Sequence, residues 1–211
     1  MESSWGLAAK AVLMGLAIAA PVGPIGLLCI QRTLQLGRLA GFVSGLGAAC
    51  ADGLYGALGA FGLALLSAYL HGLQQLLALP GALFLGWLGW HTLRSGDAAA
   101  NAASLPGGRL SRLFLSTFAL TLANPMTIVA FSGVFAALAA SHATISTADA
   151  WIMVIGVFAG STLWWALLAL ATGRLGQRLG SPQRRLVSRL AGILLLGMAA
   201  WQLLRWLSGP V

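Results

Sequence analysis

Apolar stretches of about twenty residues recur from one end of this chain to the other, and each is long enough to cross a hydrocarbon core of about 30 Å as a helix. They fall at about 5–30, 39–66, 76–93, 113–138, 149–172 and 190–207. Little sequence is left between them. Of the 211 residues, 59% are hydrophobic and only 8% are charged. A soluble domain carries roughly 25% charged residues, so there is too little polar surface here to cover a water-soluble globule. Lipid offers no partner to a backbone amide, and helices satisfy their own. The expected fold is therefore an all-α membrane protein of six transmembrane helices, multi-pass in the lipid bilayer.

The net charge of +8 does not point to nucleic acid, because the arginines lie between the spans and not along one face. It reads as membrane orientation. The connections after spans one, three and five hold ten of the twelve basic residues, leaving only Lys10 and Arg205 for the other side. The positive-inside rule puts those three connections in the cytoplasm and both termini in the periplasm. Lys10 followed by an apolar run and Ala17-Ile18-Ala19 imitates a cleavable leader. Cleavage is not expected, because the segment that follows completes a repeat.

That repeat relates the two halves. Gly81, Leu83, Leu85, Gly86, Trp90 and Arg94 recur 111 residues later as Gly192, Leu194, Leu196, Gly197, Trp201 and Arg205. Gly47, Leu54, Leu58 and Asp52 align with Gly156, Leu163, Leu167 and Ser161 at an offset of 109. Pro24 falls opposite Pro125 at an offset of 101. A three-span unit repeated once must be inverted in the membrane, because three is odd. The expected domains are residues 1–94 (first three-helix repeat), 95–111 (cytoplasmic linker) and 112–211 (second repeat). Helices one and four are each broken by proline. Inverted repeats with matching breaks are the mark of secondary transporters.

Asp52 is the sharpest functional signal. It sits mid-span with apolar or small residues on both sides, where an acid costs about 2.5–3.5 kcal/mol. Such a group normally faces a cavity or a partner. It suits a substrate ammonium or a proton. Pro21-Val22-Gly23-Pro24 is the second signal. Each proline removes an amide donor, so the carbonyls of Ala17 and Ala20 lose helical partners, and the helix restarting at Pro24 offers free N–H groups to a carboxylate. Asn124-Pro125 is the counterpart in span four, where Pro125 is expected to free the carbonyl of Thr121. Ser161 and Thr162, opposite Asp52 in the repeat, are expected to line the same cavity. Together the residues Asp52, Pro21, Gly23, Pro24, Asn124, Pro125, Ser161 and Thr162 form a candidate substrate and proton site for a small zwitterionic solute. Trp164 and Trp165 read as packing before pocket wall. Gly41-xxx-Gly45 and Gly156-xxx-Gly160 permit close helix approach and leave a homodimer open. No residue reads as catalytic, so no enzyme, cofactor or metal centre is expected.

These residues resemble a known family. Pro21-x-Gly23-Pro24, Gly37-Arg38-x-x-Gly41, Gly45-x-Gly47 and Asp52 are similar to the first half of the LysE/RhtB amino-acid exporters, and Asn124-Pro125 followed by Phe131 to their second half. The resemblance implies export of an amino acid or derivative across the bacterial inner membrane, driven by proton entry. Two departures stand out. Val22 is inserted where the family often has Pro-Gly-Pro, and Met126 stands where it often has Lys. Three other readings are weaker. One acid is too few for a divalent metal-ion transporter. Cys29 and Cys50 lack the CxxC spacing of a redox carrier. A non-transporting scaffold would need neither the helix breaks nor the lone acid.

Overall fold

A computed structural model describes residues 4–21, 23–61, 66–94, 107–140, 146–176, 178 and 180–208. They form eight helices: α1 (Ser4–Ala19), α2 (Pro24–Leu36), α3 (Arg38–Ala60), α4 (Leu66–Arg94), α5 (Gly107–Leu122), α6 (Pro125–Ala140), α7 (Thr147–Gly176) and α8 (Ser181–Leu207). No strand occurs among the described residues. Six helices are expected from the sequence. The difference lies at the two proline sites, where one expected apolar stretch is divided between two helices, bent by 81° between α1 and α2 and by 61° between α5 and α6. Helix α7 and residues 185–207 of α8 are each long and apolar enough to cross a membrane alone, and each bent pair is so when taken together.

Helix α3 lies at the centre. Its buried face is almost entirely Gly, Ala and Ser, among them Ala40, Ser44, Gly47, Ala48, Ala49 and Ala51. Small side chains let α5 and α7 come close on either side. A Cβ on Gly47 would strike the carbonyl of Phe114 in α5, and one on Gly45 would strike the Trp165 side chain in α7. Helices α1 and α7 meet in the same way. Gly156 and Gly160 face Ala11 and the carbonyl of Val12, and Gly15 faces the carbonyl of Val157. The Gly-xxx-Gly pairs thus serve packing within the chain. Helix α4 packs along α8, where Gly89 meets the Gly192 carbonyl. The main core, with Leu28, Ala48, Leu85, Leu120, Trp165 and Leu195, ties these elements together.

The outer surface is apolar. Leu13, Leu83, Trp87, Ile155, Leu167, Ile193 and Leu204 are all exposed. A continuous apolar exterior fits a lipid solvent and not water. Arg94 lies 4.4 Å over the Trp90 ring at the end of α4, and Arg205 lies 4.9 Å over Trp201 at the end of α8. Each pair sets a guanidinium against the face of an indole ring.

Three sequence expectations change. Counting charges puts Arg32 in a basic loop; it lies inside α2 and is buried. The break comes at Gly37, whose φ of 92° is a conformation that favours glycine. The apolar pattern puts Pro80 near the start of a span; α4 begins at Leu66, so Pro80 is inside it. Helix α5 starts at Gly107, inside the stretch 95–111 expected as linker, and 95–106 lie outside the described residues.

Candidate functional site between the two helix breaks

The two breaks and the central helix border a half-open cavity of about 200 Å³. Pro21, Gly23 and Pro24 line it from the first break, Asn124 from the second, and Ala48 and Asp52 from α3. Ile18, Ile25, Met126 and Ala130 supply apolar wall, and Thr121, Thr127 and Trp165 complete it.

Asp52 is buried at 3% exposure. The Ser161 hydroxyl donates to its Oδ2 at 2.7 Å, and the Trp165 indole N–H donates in turn to Ser161 Oγ at 3.1 Å. One carboxyl oxygen is therefore anchored through α7. The other has no protein hydrogen-bond partner among the described residues and is left for the cavity. Asp52 and Ser161 are also the two residues that align across the halves.

The two breaks differ in how they are satisfied. At the first, Ala20 N–H donates to the Leu16 carbonyl and Gly23 N–H to that of Pro21. Val22 lies outside the described residues. Gly23 occupies the N-cap of α2 without a side chain to cap it, and Pro24 follows at the first helical position. The opening turn of α2, with Ile25 and Gly26, thus presents amides that have no intrahelical acceptor. At the second break, Asn124 caps α6 itself. Its Oδ1 accepts from Met126 N–H at 3.2 Å, and its amide donates to Thr127 Oγ1 at 3.1 Å. The Thr121 carbonyl, expected to be free, accepts from Asn124 N–H at 3.2 Å. The Leu122 carbonyl accepts from the Tyr55 hydroxyl at 2.7 Å, and that of Ala123 from Gln202 at 3.4 Å. Only the α2 end is left open to an anion.

Of the eight residues singled out in the sequence, Pro21, Gly23, Pro24, Asp52 and Asn124 line the cavity. Ser161 stands behind Asp52 as its hydrogen-bond donor. Pro125 opens α6. Thr162 is not among the lining residues, and its buried hydroxyl has no hydrogen-bond partner among the described residues. Trp165, read first as packing, does wall the cavity. Thr121 and Thr127 also line it; the sequence singles out Thr121 only for its carbonyl and Thr127 not at all, though its place three residues after the capping Asn124 is an available signal. No group of His, Cys, Asp and Glu suited to a metal occurs among the described residues.

The family profile described as LysE type translocator matches residues 16–205. The chain belongs to that family. It is 28% identical to the putative amino acid efflux protein YcgF of Bacillus subtilis over 189 residues, 88% of this chain and 89% of the relative. It is 29% identical to the uncharacterized membrane protein YahN of Escherichia coli over 179 residues, 83% and 78% of the two chains. It is 28% identical to the threonine efflux protein of Salmonella typhimurium over 155 residues, 70% and 72% of the two. No solved structure matches the chain. Membership makes this LysE type translocator a multi-pass membrane transporter and not an enzyme.

Proposed function

We propose that this LysE type translocator exports an amino acid or a close derivative across the bacterial inner membrane in exchange for entering protons. The cavity carries the reading, because it brings a lone carboxyl group and an uncapped helix start to the same small space. The Asp52 carboxylate would receive the substrate ammonium through its unanchored oxygen, and the first turn of α2 would receive the substrate carboxylate. Apolar walls and a volume near 200 Å³ suit a small uncharged side chain. The names of the relatives, putative amino acid efflux and threonine efflux proteins, agree with this. When the ammonium leaves, a proton entering from outside would replace it on Asp52, so that one acid serves both ligands in turn.

The inverted repeat is part of the same proposal. Several features support it. Helices α3 and α7, and α4 and α8, pair with each other, while α1 packs on α7 as α5 packs on α3. Residues Asp52 and Ser161, at equal positions in the halves, meet at the centre. Each half would then be a rigid unit, 1–94 and 112–211, rocking about the cavity.

Export is tested by feeding expressing cells amino acids as dipeptides and following release. Asp52→Asn should insert normally and lose export. Unchanged export by that variant would remove Asp52 from the coupling.

A further inference from the structure

A second buried charge lies two turns along α2 from the cavity. From Pro24 to Arg32 is eight residues, about 12 Å along a helix. Arg32 is 8% exposed, and among the described residues all its acceptors are neutral. Nη1 donates to Ser44 Oγ of α3 at 3.0 Å, and in α5 to the Leu113 carbonyl at 3.0 Å and Thr117 Oγ1 at 2.7 Å. Nη2 donates to Ser116 Oγ at 2.8 Å. The three hydroxyls have already given their protons to their own helices: Ser44 to the Ala40 carbonyl, Ser116 and Thr117 to that of Leu113. They turn only lone pairs to the guanidinium. A buried cation held by neutral oxygens keeps its whole formal charge uncompensated. A carboxylate would displace such acceptors readily, since charge-assisted and bidentate bonds to arginine are the stronger kind.

The surroundings form a hydrogen-bonded seal. Thr92 of α4 donates to Gln31 at 3.4 Å, and Gln35 donates to Ser188 of α8 at 3.0 Å. Helix α2 is thus tied by polar side chains to α3, α4, α5 and α8, between the cavity and the turn at Gly37. Water can take over every one of these bonds when the helices part.

We propose that Arg32 is a carboxylate receptor in this seal, which the substrate engages on its way from the Gly37 face to the cavity. The proposal rests on the amino-acid export reading. The test uses the purified full chain in oriented liposomes, with L-threonine and L-threoninamide as probes and kinetics measured from each face. Arg32→Gln should raise KM for threonine at the Gly37 face by about tenfold or more, the loss of one bond to a charged group. It should leave KM at the opposite face within about twofold and narrow the preference for threonine over threoninamide. Arg32→Lys should restore part of the affinity. Ser116→Ala combined with Thr117→Val removes competing acceptors, so KM at the Gly37 face should fall. That direction separates a receptor from a structural tie and serves if Arg32→Gln does not fold. Equal losses at both faces, an unmoved KM, or a Ser116/Thr117 variant that lowers only the melting temperature would overturn the proposal while export stands. Wild-type liposomes that move no amino acid would overturn both.

Discussion

Asp52 does not stand alone at the cavity, and the order of importance among its neighbours can be stated. Ser161 donates directly to the carboxyl oxygen, whereas Trp165 acts one bond further back. A hydrogen bond to a charged group is worth about 1.5–3 kcal/mol and a neutral one about 0.5–1.5 kcal/mol. Ser161→Ala should therefore lower kcat/KM for export by about ten- to a hundredfold, and Trp165→Phe by a few-fold. In the background of Ser161→Ala the Trp165→Phe effect should shrink, because the indole reaches Asp52 only through that hydroxyl; a double-mutant cycle in liposomes reads this. Full additivity would mean that Trp165 acts elsewhere. Asp52 itself is legible in the sequence, since a lone acid amid apolar residues is costly unless a cavity or a polar partner receives it. The hydroxyl of Thr162 is not, because whether a helical hydroxyl reaches a cavity depends on how the helix is rotated, which the sequence leaves open.

At the level of elements, the helix breaks are readable because proline has no amide to give. What the sequence does not show is how the broken ends are satisfied. The Thr121 carbonyl is taken by Asn124 and that of Leu122 by Tyr55, a residue 67 positions away. Arg32 escapes the sequence reading for a related reason. Counting charges assigns every arginine to a water-exposed connection, yet four oxygens from α3 and α5 make burial tolerable here. The punctuation at Gly37, five residues later, is the available hint. Close helix contact gives a further prediction. Gly160 in α7 lies against the Val12 carbonyl, whereas a Cβ on Gly197 in α8 meets nothing within 4 Å. Gly160→Leu should destabilise the fold by about 1–3 kcal/mol or more through overpacking. Gly197→Ala should be neutral or stabilising by up to about 1 kcal/mol through helix propensity. Thermal unfolding in detergent measures both. Equal melting temperatures for the two variants would contradict the α1–α7 packing.

For the molecule as a whole, the distribution of arginines predicts how the chain faces the two sides of the membrane. With Arg32 withdrawn into the interior, the connections after the first, third and fifth expected spans still hold nine basic residues against two, Lys10 and Arg205. The positive-inside rule counts charge near the ends of spans, and the group Arg178, Arg185 and Arg189, at the turn between α7 and α8 and the start of α8, weighs most. The C-terminus after α8 should therefore be periplasmic. That orientation would also fix the meaning of the proposed seal at Arg32, since the Gly37 turn would then face the cytoplasm and an exported solute would meet Arg32 before Asp52. A C-terminal alkaline phosphatase fusion should be active in a bacterial host, and a green fluorescent protein fusion at the same place should be dark. Replacing Arg178, Arg185 and Arg189 with glutamine should weaken that asymmetry and populate both orientations. A fluorescent C-terminus in the unaltered chain would reverse the assignment. The solute would then pass Asp52 first, and the Arg32 seal would stand at the exit.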